Sequence, residues 1–491
     1  MADSRGLSRR RFAAECGAAV ALGAWTTSVL SQDAQQSDGP CQAMGTRATE
    51  MGPHSAVIWT RLTRHAQRNN DGLLIPGRAN GRKGKLPEVT VPVNELEGAC
   101  PGAVGEVRIR YGLQPDLSDA LATAWVPVTE ATDFIHQFSL QDLKPGCRYK
   151  YVSEVRAGAN ASVHQHSGHF ETAPEPEASV DVRFCVMTCQ GYPDRGHPDG
   201  HDIYPSMQAL QPRFGVLTGD LVYYDNDLPR AVTPELARYH WQRMFSLPRL
   251  VDFNSNVGTY WLKDDHDTLN DDSWPGREMG AFTFAEGQEI FRQQSCIQGP
   301  QAYRTVRWGR HLQLWMTDGR DHRSPNRMVD GPDKTIWGQE QKDLFKRTVS
   351  ESDATWKILV SPTPLVGPDR KGKNDNHANA GFQHEGDEIR HWIQEHVPER
   401  FFVICGDRHW QFHSIHPETG LHEFSVGAAS NEHAGGTPGE DPRYHQFHRV
   451  KGGFLSVDVK STEDQSSIAL VLRDVQGQPV YTFEKSARVN S

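Results

Sequence analysis

Phe214-Gly-Val-Leu-Thr-Gly-Asp-Leu-Val-Tyr223 runs from an apolar segment of strand length straight into a polar cluster. The same transition recurs along the chain. Residues 180–188 lead into Thr188-Cys-Gln-Gly-Tyr192 and residues 257–262 into Lys263-Asp-Asp-His-Asp267. Residues 312–317 lead into Thr317-Asp-Gly-Arg320 and residues 401–405 into Cys405-Gly-Asp-Arg-His409. Residues 356–360 form one more apolar run, and helical candidates at 205–211, 234–245 and 337–348 fall between some of them. Strands alternating with helices predict an α/β layered domain, with β-sheets flanked by helices. In such sheets ligands and catalytic groups collect at the carboxyl ends of the strands, which is where every one of these clusters lies.

Working outward, residues 41–174 read as all-β. Ser55-Ala-Val-Ile-Trp-Thr60, Val107-Arg-Ile-Arg-Tyr111, Phe134-Ile-His-Gln-Phe-Ser-Leu140 and Tyr149-Lys-Tyr-Val-Ser-Glu-Val155 are short, partly alternating runs between Gly- and Pro-rich turns. Leu143-Lys-Pro-Gly146 before a Tyr-rich run is the punctuation of a fibronectin- or immunoglobulin-like sandwich. Residues 66–104 read as a long Gly-, Asn- and Lys-rich surface insertion, and Pro174-Glu-Pro-Glu-Ala178 as a linker. The layered domain then occupies 180–485. Its tail from 452 reads as further antiparallel strands around a Val475-Gln-Gly-Gln478 turn.

The first 31 residues read as an address. Ser8-Arg9-Arg10-Arg11-Phe12 and the weakly apolar stretch after it match a twin-arginine signal, which predicts recognition by the twin-arginine export machinery and a periplasmic or extracellular destination. No other stretch reaches the roughly 20 apolar residues of a membrane span, so stable membrane insertion is not expected. A net charge of −10, with no basic run beyond the first dozen residues, argues against a nucleic-acid groove. Carboxylates gathered around cations would reverse that acidity locally. Of the eight cysteines, Cys16 lies in the signal, and Cys41, Cys100 and Cys147 lie close enough in sequence for one disulfide to be expected among them. Cys185 and Cys405 sit in apolar runs and read as small buried hydrophobes.

The clusters together supply a thiol, carboxylates, a phenol, a guanidinium and imidazoles. Hydrolysis of a phosphate ester needs an activated water and screening of phosphoryl charge. A pair of cations about 3.5–4 Å apart supplies both. The series Gly-Asp-x-x-Tyr, Asp-Asp-His and Gly-Asp-x-His resembles the calcineurin-like metallophosphoesterases. The Cys-Gln opening, Asp-Asp-His-Asp-x-x-Asn and Gly-Asp-Arg-His resemble their alkaline phosphatase D (PhoD-like) branch. Gly168-His-Phe-Glu-Thr-Ala-Pro174 and the strands before it resemble that family's N-terminal domain.

The resemblance implies a phosphoric ester hydrolase acting on small-molecule phosphate monoesters or diesters. Carried over motif by motif, it implies that Cys189, Asp220, Tyr223 and His409 hold a ferric ion (Fe3+). Asp220 then bridges to calcium (Ca2+), which Asp265 and Asp407 also hold and Asn270 completes. Hard oxygen donors around that second position suit calcium on chemical grounds as well. His266 is implied as the group that contacts phosphate or protonates the leaving oxygen, and Arg320 as a phosphate grip. Asp264 is read as a charged neighbour, Asp318 as orienting Arg320, and Tyr224 as the exposed member of its pair or as exchanging roles with Tyr223.

Two departures fall, on this reading, at the pocket rim. Lys263 replaces a Trp before Asp-Asp-His, and Asn374-Asp-Asn-His-Ala-Asn-Ala-Gly-Phe-Gln-His-Glu385 replaces a Trp-Asp-Gly-Tyr-Pro-like segment. The second brings His377 and His384 near the site, His377 either as an additional metal or phosphate contact or as a plain loop histidine. Two other readings compete. A purple-acid-phosphatase-like iron/zinc enzyme shares Gly-Asp-x-x-Tyr, but has Asn where this chain has Asp265 and Asp where it has Cys189. A binding protein on a degenerate phosphatase fold would have lost a core motif, and none is lost.

Overall fold

The computed structural model of the protein describes residues 39–79, 86–297, 299, 301–462 and 464–488. The twin-arginine segment lies outside them. The described residues form one compact unit.

The apolar runs become strands close to the expected limits: Val182–Met187, Phe214–Thr218, Gly258–Leu262, Leu312–Met316, Trp356–Ser361 and Phe401–Cys405. They divide between two sheets. The first three are parallel neighbours at the centre of a nine-stranded sheet. The other three are parallel neighbours in a seven-stranded sheet. Alternation along each strand explains how the sheets pack, because successive side chains leave opposite faces. Val186, Val216, Leu314, Ile358, Val360 and Ile404 meet in one core between the sheets. Met187 and Leu217 instead face helices Pro234–Phe245, Pro248–Asn256 and Phe284–Ser295. Trp315, Leu359 and Val403 face helices Gly338–Glu351 and Gln383–His396. The result is a layered helix–sheet–sheet–helix fold.

The N-terminal region is all-β, but its strands do not close as a sandwich of their own. Thr46–Thr49, Ala56–Arg61 and Ile135–Leu140 extend the nine-stranded sheet, with Thr49 in parallel register with Thr259. Only Gly105–Gly112, Leu121–Ala122, Val126–Val128, Arg148–Arg156 and His164–Glu171 form a separate five-stranded sheet. Val107, Tyr151 and Phe170 from that sheet share a core with Phe184 and Tyr260. Tyr260 also donates its hydroxyl to the Met51 carbonyl at 2.5 Å. Short alternating runs look alike in sequence whether they pair with one another or with a distant strand. The C-terminal strands Gly453–Ser461, Gln465–Asp474 and Pro479–Arg488 complete the other side of the large sheet.

Candidate metal centre

The polar clusters converge because the two sheets present their carboxyl ends on the same side. Cys189, Asp220 and Asp407 each follow a strand and each carries a left-handed backbone, at φ 53°, 55° and 62°. That conformation is uncommon outside glycine, and it turns the side chain back over the strand end. The preceding glycines are forced by close packing. A Cβ on Gly219 would lie 2.7 Å from the Asp264 Cβ, and one on Gly406 2.6 Å from the Thr218 carbonyl oxygen. This is the physical content of the repeated Gly-Asp pair. The turns are tied together: Gln190 N–H donates to the Asp220 carbonyl at 3.0 Å within the nine-stranded sheet, and Ala429 N–H donates to that of Cys189 at 3.2 Å from the other sheet.

One half of the site is built from Cys189, Asp220, Tyr223 and His409. Ligand atoms of Cys189, Asp220 and His409 all lie within 4.8 Å of one another. Asp220 Oδ2 accepts from Cys189 Sγ at 3.4 Å and from the Tyr223 hydroxyl at 3.1 Å, while His409 Nε2 is 3.3 Å from that hydroxyl. Asp220 Oδ1 is buried with no partner among the described residues. Tyr224 points away: its hydroxyl accepts from Trp241 Nε1 at 2.5 Å in the outer core. The two tyrosines therefore do not exchange roles.

The other half gathers Asp220, Asp264, Asp265, His266 and Asp407, with Asn270 five residues on from Asp265. Ligand atoms of Asp220, Asp264 and Asp407 fall within 4.8 Å of one another, as do those of Asp220, Asp265 and His266. Asn270 Oδ1 is buried and unpartnered, as is Asp264 Oδ2. His266 Nδ1 donates to Asp225 Oδ1 at 2.6 Å, and its ring packs on Tyr223 with centroids 4.4 Å apart.

The electrostatics fit cations. Burial first, and then neighbouring carboxylates against the pull of His266, hold the Asp220 carboxyl well above its usual range. Burial, with Asp375 and Asp265 adding to it against Arg408, pushes Asp407 up to about 6. Burial and then Asp220 raise the Cys189 thiol and, likewise, the Tyr223 phenol. Burial keeps His409 neutral, with a lone pair to give. His266 goes the other way: burial opposes its charge, but Asp225, Asp265 and Asp220 outweigh it and the imidazole keeps its proton. Carboxylates, a thiol and a phenol crowded out of water are stable as anions only beside positive charge. The orphaned oxygens of Asp220 and Asn270 and this donor set fit two metal ions.

Several expected roles do not survive. Arg320 is 1% exposed, and its Nε and its terminal NH2 both lie 2.6 Å from Asp264 Oδ1. It is a buried counter-ion with no face left for phosphate, and Asp264 is its partner rather than a bystander. Asp318 does orient it, accepting the Arg320 N–H at 3.0 Å. Lys263 is no rim residue: it is 3% exposed and pairs with Asp318 and, at 2.8 Å, Asp321. Arg408 is buried too, bridging Asp407 at 2.9 Å to Asp369 and Asp375.

His377 is buried behind the site, its Nε2 2.9 Å from Glu385 Oε2 and its ring edge-on to Trp337. His384 opens helix Gln383–His396 and hydrogen-bonds Asp330 through its backbone. Cys100 and Cys147 carry free thiols, so the disulfide expected among the N-terminal cysteines does not form. Cys185 and Cys405 are wholly buried, as read.

Three residues at the site went unread. Asp225 orients His266; an acid two residues after Tyr223 was the available signal. His433 lies with its Nε2 2.9 Å from the Tyr223 hydroxyl, its Nδ1 3.0 Å from Asp194 Oδ2, and Arg78 against it. It stands 210 residues from the tyrosine it touches, in no motif. Lys373 pairs with Asp271, Asp272 and Asp375 at 3.2–3.4 Å.

Among solved structures, the chain superposes on one described as the structure of PhoD with a TM-score of 0.71. The two are 16% identical, over 91% of this chain and 92% of the other. It superposes on purple acid phosphatase PPD1 from yellow lupin (Lupinus luteus) seeds with a TM-score of 0.58. There the identity is 14%, over 89% of this chain and 73% of that one. Both likenesses concern the fold. No curated protein sequence matches the chain. The model of the PhoD-like phosphatase family matches residues 184–454, a span that runs from the first site strand past the last site loop. This chain belongs to the PhoD-like phosphatase family.

Proposed function

We propose that the protein is an exported, metal-dependent phosphoesterase that hydrolyses small-molecule phosphate monoesters, diesters or both. One observation supports the reading: Asp220 groups with Cys189, Tyr223 and His409 on one side and with Asp264, Asp265 and Asp407 on the other, its Oδ1 is buried with no partner among the described residues, and we read Asn270 as completing the second group. Ferric iron suits the thiolate–phenolate side and calcium the oxygen side. Two cations held there would activate water as the nucleophile and screen the phosphoryl oxygens.

The protein's own groups do the rest. His266, its Nδ1 held by Asp225, is in this reading the group that donates a proton to the leaving ester oxygen. Asp407 is held in place by Arg408, and the Asp264–Arg320 pair fixes the loop that carries Asp265. The Cys189 and Asp265 donor set favours iron and calcium over the iron/zinc set of purple acid phosphatases. The exported assignment rests on the Ser8-to-Phe12 pattern.

The test is metal analysis of the purified protein together with a panel of mono- and diesters, repeated on Asp220→Asn. The variant should lose turnover and lose metal at both positions. Normal metal content and turnover in that variant would place the site elsewhere.

A further inference from the structure

With Arg320 sealed against Asp264, the phosphate is left without the grip that the motif implied. Arg408 is equally closed off, with 0% of its side chain exposed. Lys373 is not. Its side chain is 21% exposed, and its three carboxylate partners stand at 3.3, 3.2 and 3.4 Å, beyond the roughly 2.7–2.9 Å of a tight charge-assisted bond.

Its ion pairs tie it to residues that hold Asp265 and Asp407. On one side it pairs with Asp272, whose N–H donates to Asp265 Oδ2 at 2.6 Å. On the other it pairs with Asp375, which reaches Asp407 through Arg408. It also meets the proton donor. Lys373 Nζ and His266 Nε2 lie 3.3 and 3.9 Å from the same Asp271 oxygen, and that carboxylate is 59% exposed. The ammonium and the imidazole thus reach the mouth of the site on either side of one solvent-facing carboxylate. Asp265, Asp271 and Asp272 are themselves spaced to hold a cation, and the ammonium already pairs with two of the three.

We propose that Lys373 receives the substrate's phosphate and selects for phosphate monoesters. The inference rests on the phosphoesterase reading above. A monoester near neutral pH carries a second charged, non-bridging oxygen that can take the ammonium from Asp271 and Asp272. In a diester that oxygen carries the second ester group and has no charge to offer. Lysine suits the role as a compact, mobile point charge on a flexible stem.

The experiment compares wild type, Lys373→Gln and Lys373→Arg as metal-loaded full chains. It reads kcat and KM on a monoester and a diester, inhibition and binding by inorganic phosphate, metal content and melting temperature. Lys373→Gln should raise the monoester KM and the phosphate Ki roughly tenfold or more, the loss of a charge-assisted hydrogen bond. The diester kcat/KM should fall several-fold less than that of the monoester, metal content should hold, and Lys373→Arg should recover much of the loss. Unchanged monoester KM and phosphate Ki in Lys373→Gln would overturn the proposal. So would equal losses on both esters with lost metal, the mark of a structural counter-ion. If the wild type hydrolyses neither ester, the phosphoesterase reading fails by itself. Calorimetric binding of inorganic phosphate then decides Lys373: weaker binding by Lys373→Gln supports it, and equal binding refutes it.

Discussion

Asp225→Asn isolates the contribution of orientation to His266, the proposed proton donor. Asp225 Oδ1 accepts from His266 Nδ1 at 2.6 Å, and its other oxygen accepts the Asp271 N–H at 3.0 Å, so the carboxylate fixes both the ring and the loop beside it. Both side chains are nearly closed off, at 12% and 10% exposure, so water replaces the bond poorly. The amide keeps an acceptor and the shape but loses the charge. A hydrogen bond to a charged group contributes about 1.5–3 kcal/mol, which is about 10- to 150-fold in kcat. Removing the imidazole itself, by His266→Ala, should cost about 10²–10⁴. The decisive assay is the double-mutant cycle, with metal content measured on all four proteins. If Asp225 acts through His266, Asp225→Asn in the His266→Ala background should change kcat by less than about twofold. An equal loss in both backgrounds, or metal loss that tracks activity, would refute the reasoning.

Arg320→Gln should lower the melting temperature and metal retention rather than raise the KM for phosphate esters, because it strands the buried Asp264 carboxylate at about 3–5 kcal/mol; a normal melt with a raised KM would return Arg320 to the phosphate. Tyr223→Phe should remove or shift a visible charge-transfer band from the purified protein, whereas Tyr224→Phe, in the outer core, should leave it unchanged; a colourless active enzyme would sink the ferric assignment. Glu385→Gln tests the structural reading of His377. Burial works against the Glu385 carboxylate, but bonds from His377, Thr335 and Ile336 outweigh it and hold the carboxyl at about 2 against an ordinary 4.5. A depressed folded value stabilises above the unfolded value and is lost as pH falls through the folded one. The variant should therefore be less stable by about 3 kcal/mol at pH 7, with the gap shrinking by about half between pH 5 and pH 3 in urea melts. A pH-independent gap would refute it.

The sequence showed the site strands and the ligand clusters because both are local. An apolar run followed by Gly-Asp is legible when the strand and the turn that ends it are contiguous. Helix Pro234–Phe245 was legible for the same reason, with Thr233 capping it and proline at its start. Helix Gln383–His396 was not, since its first turn lies in a Gly-, Asn- and His-rich stretch that reads as loop. Partnership across the fold was hidden too. Nothing local says that Arg320 meets Asp264, 56 residues earlier, or that His433 meets Tyr223. Charge type was readable, but whether a charge faces substrate or another charge depends on which strand ends become neighbours.

That distinction has an energetic basis in how the site is held. Three of its proposed ligand positions, Cys189, Asp220 and Asp407, keep left-handed backbones that cost about 1–2 kcal/mol each for residues with a Cβ. They are tolerable because the strands below them are among the best packed in the molecule: Val186, Val216 and Ile404 are wholly buried in the core between the sheets. Rigidity there lets the turns above hold carboxylates close together. The same rigidity explains why the nearby cations had to be buried. Asp264 cannot relax away from Asp220 and Asp407, because a glycine at 219 brings the backbones into contact. A fixed excess of negative charge needs fixed positive partners, and Arg320 and Arg408 supply them from rigid, buried positions. A residue that must release its partners to take a substrate cannot be built that way. It needs a flexible stem, partial exposure and longer ion pairs, and of Arg320, Arg408 and Lys373 only Lys373 combines all three.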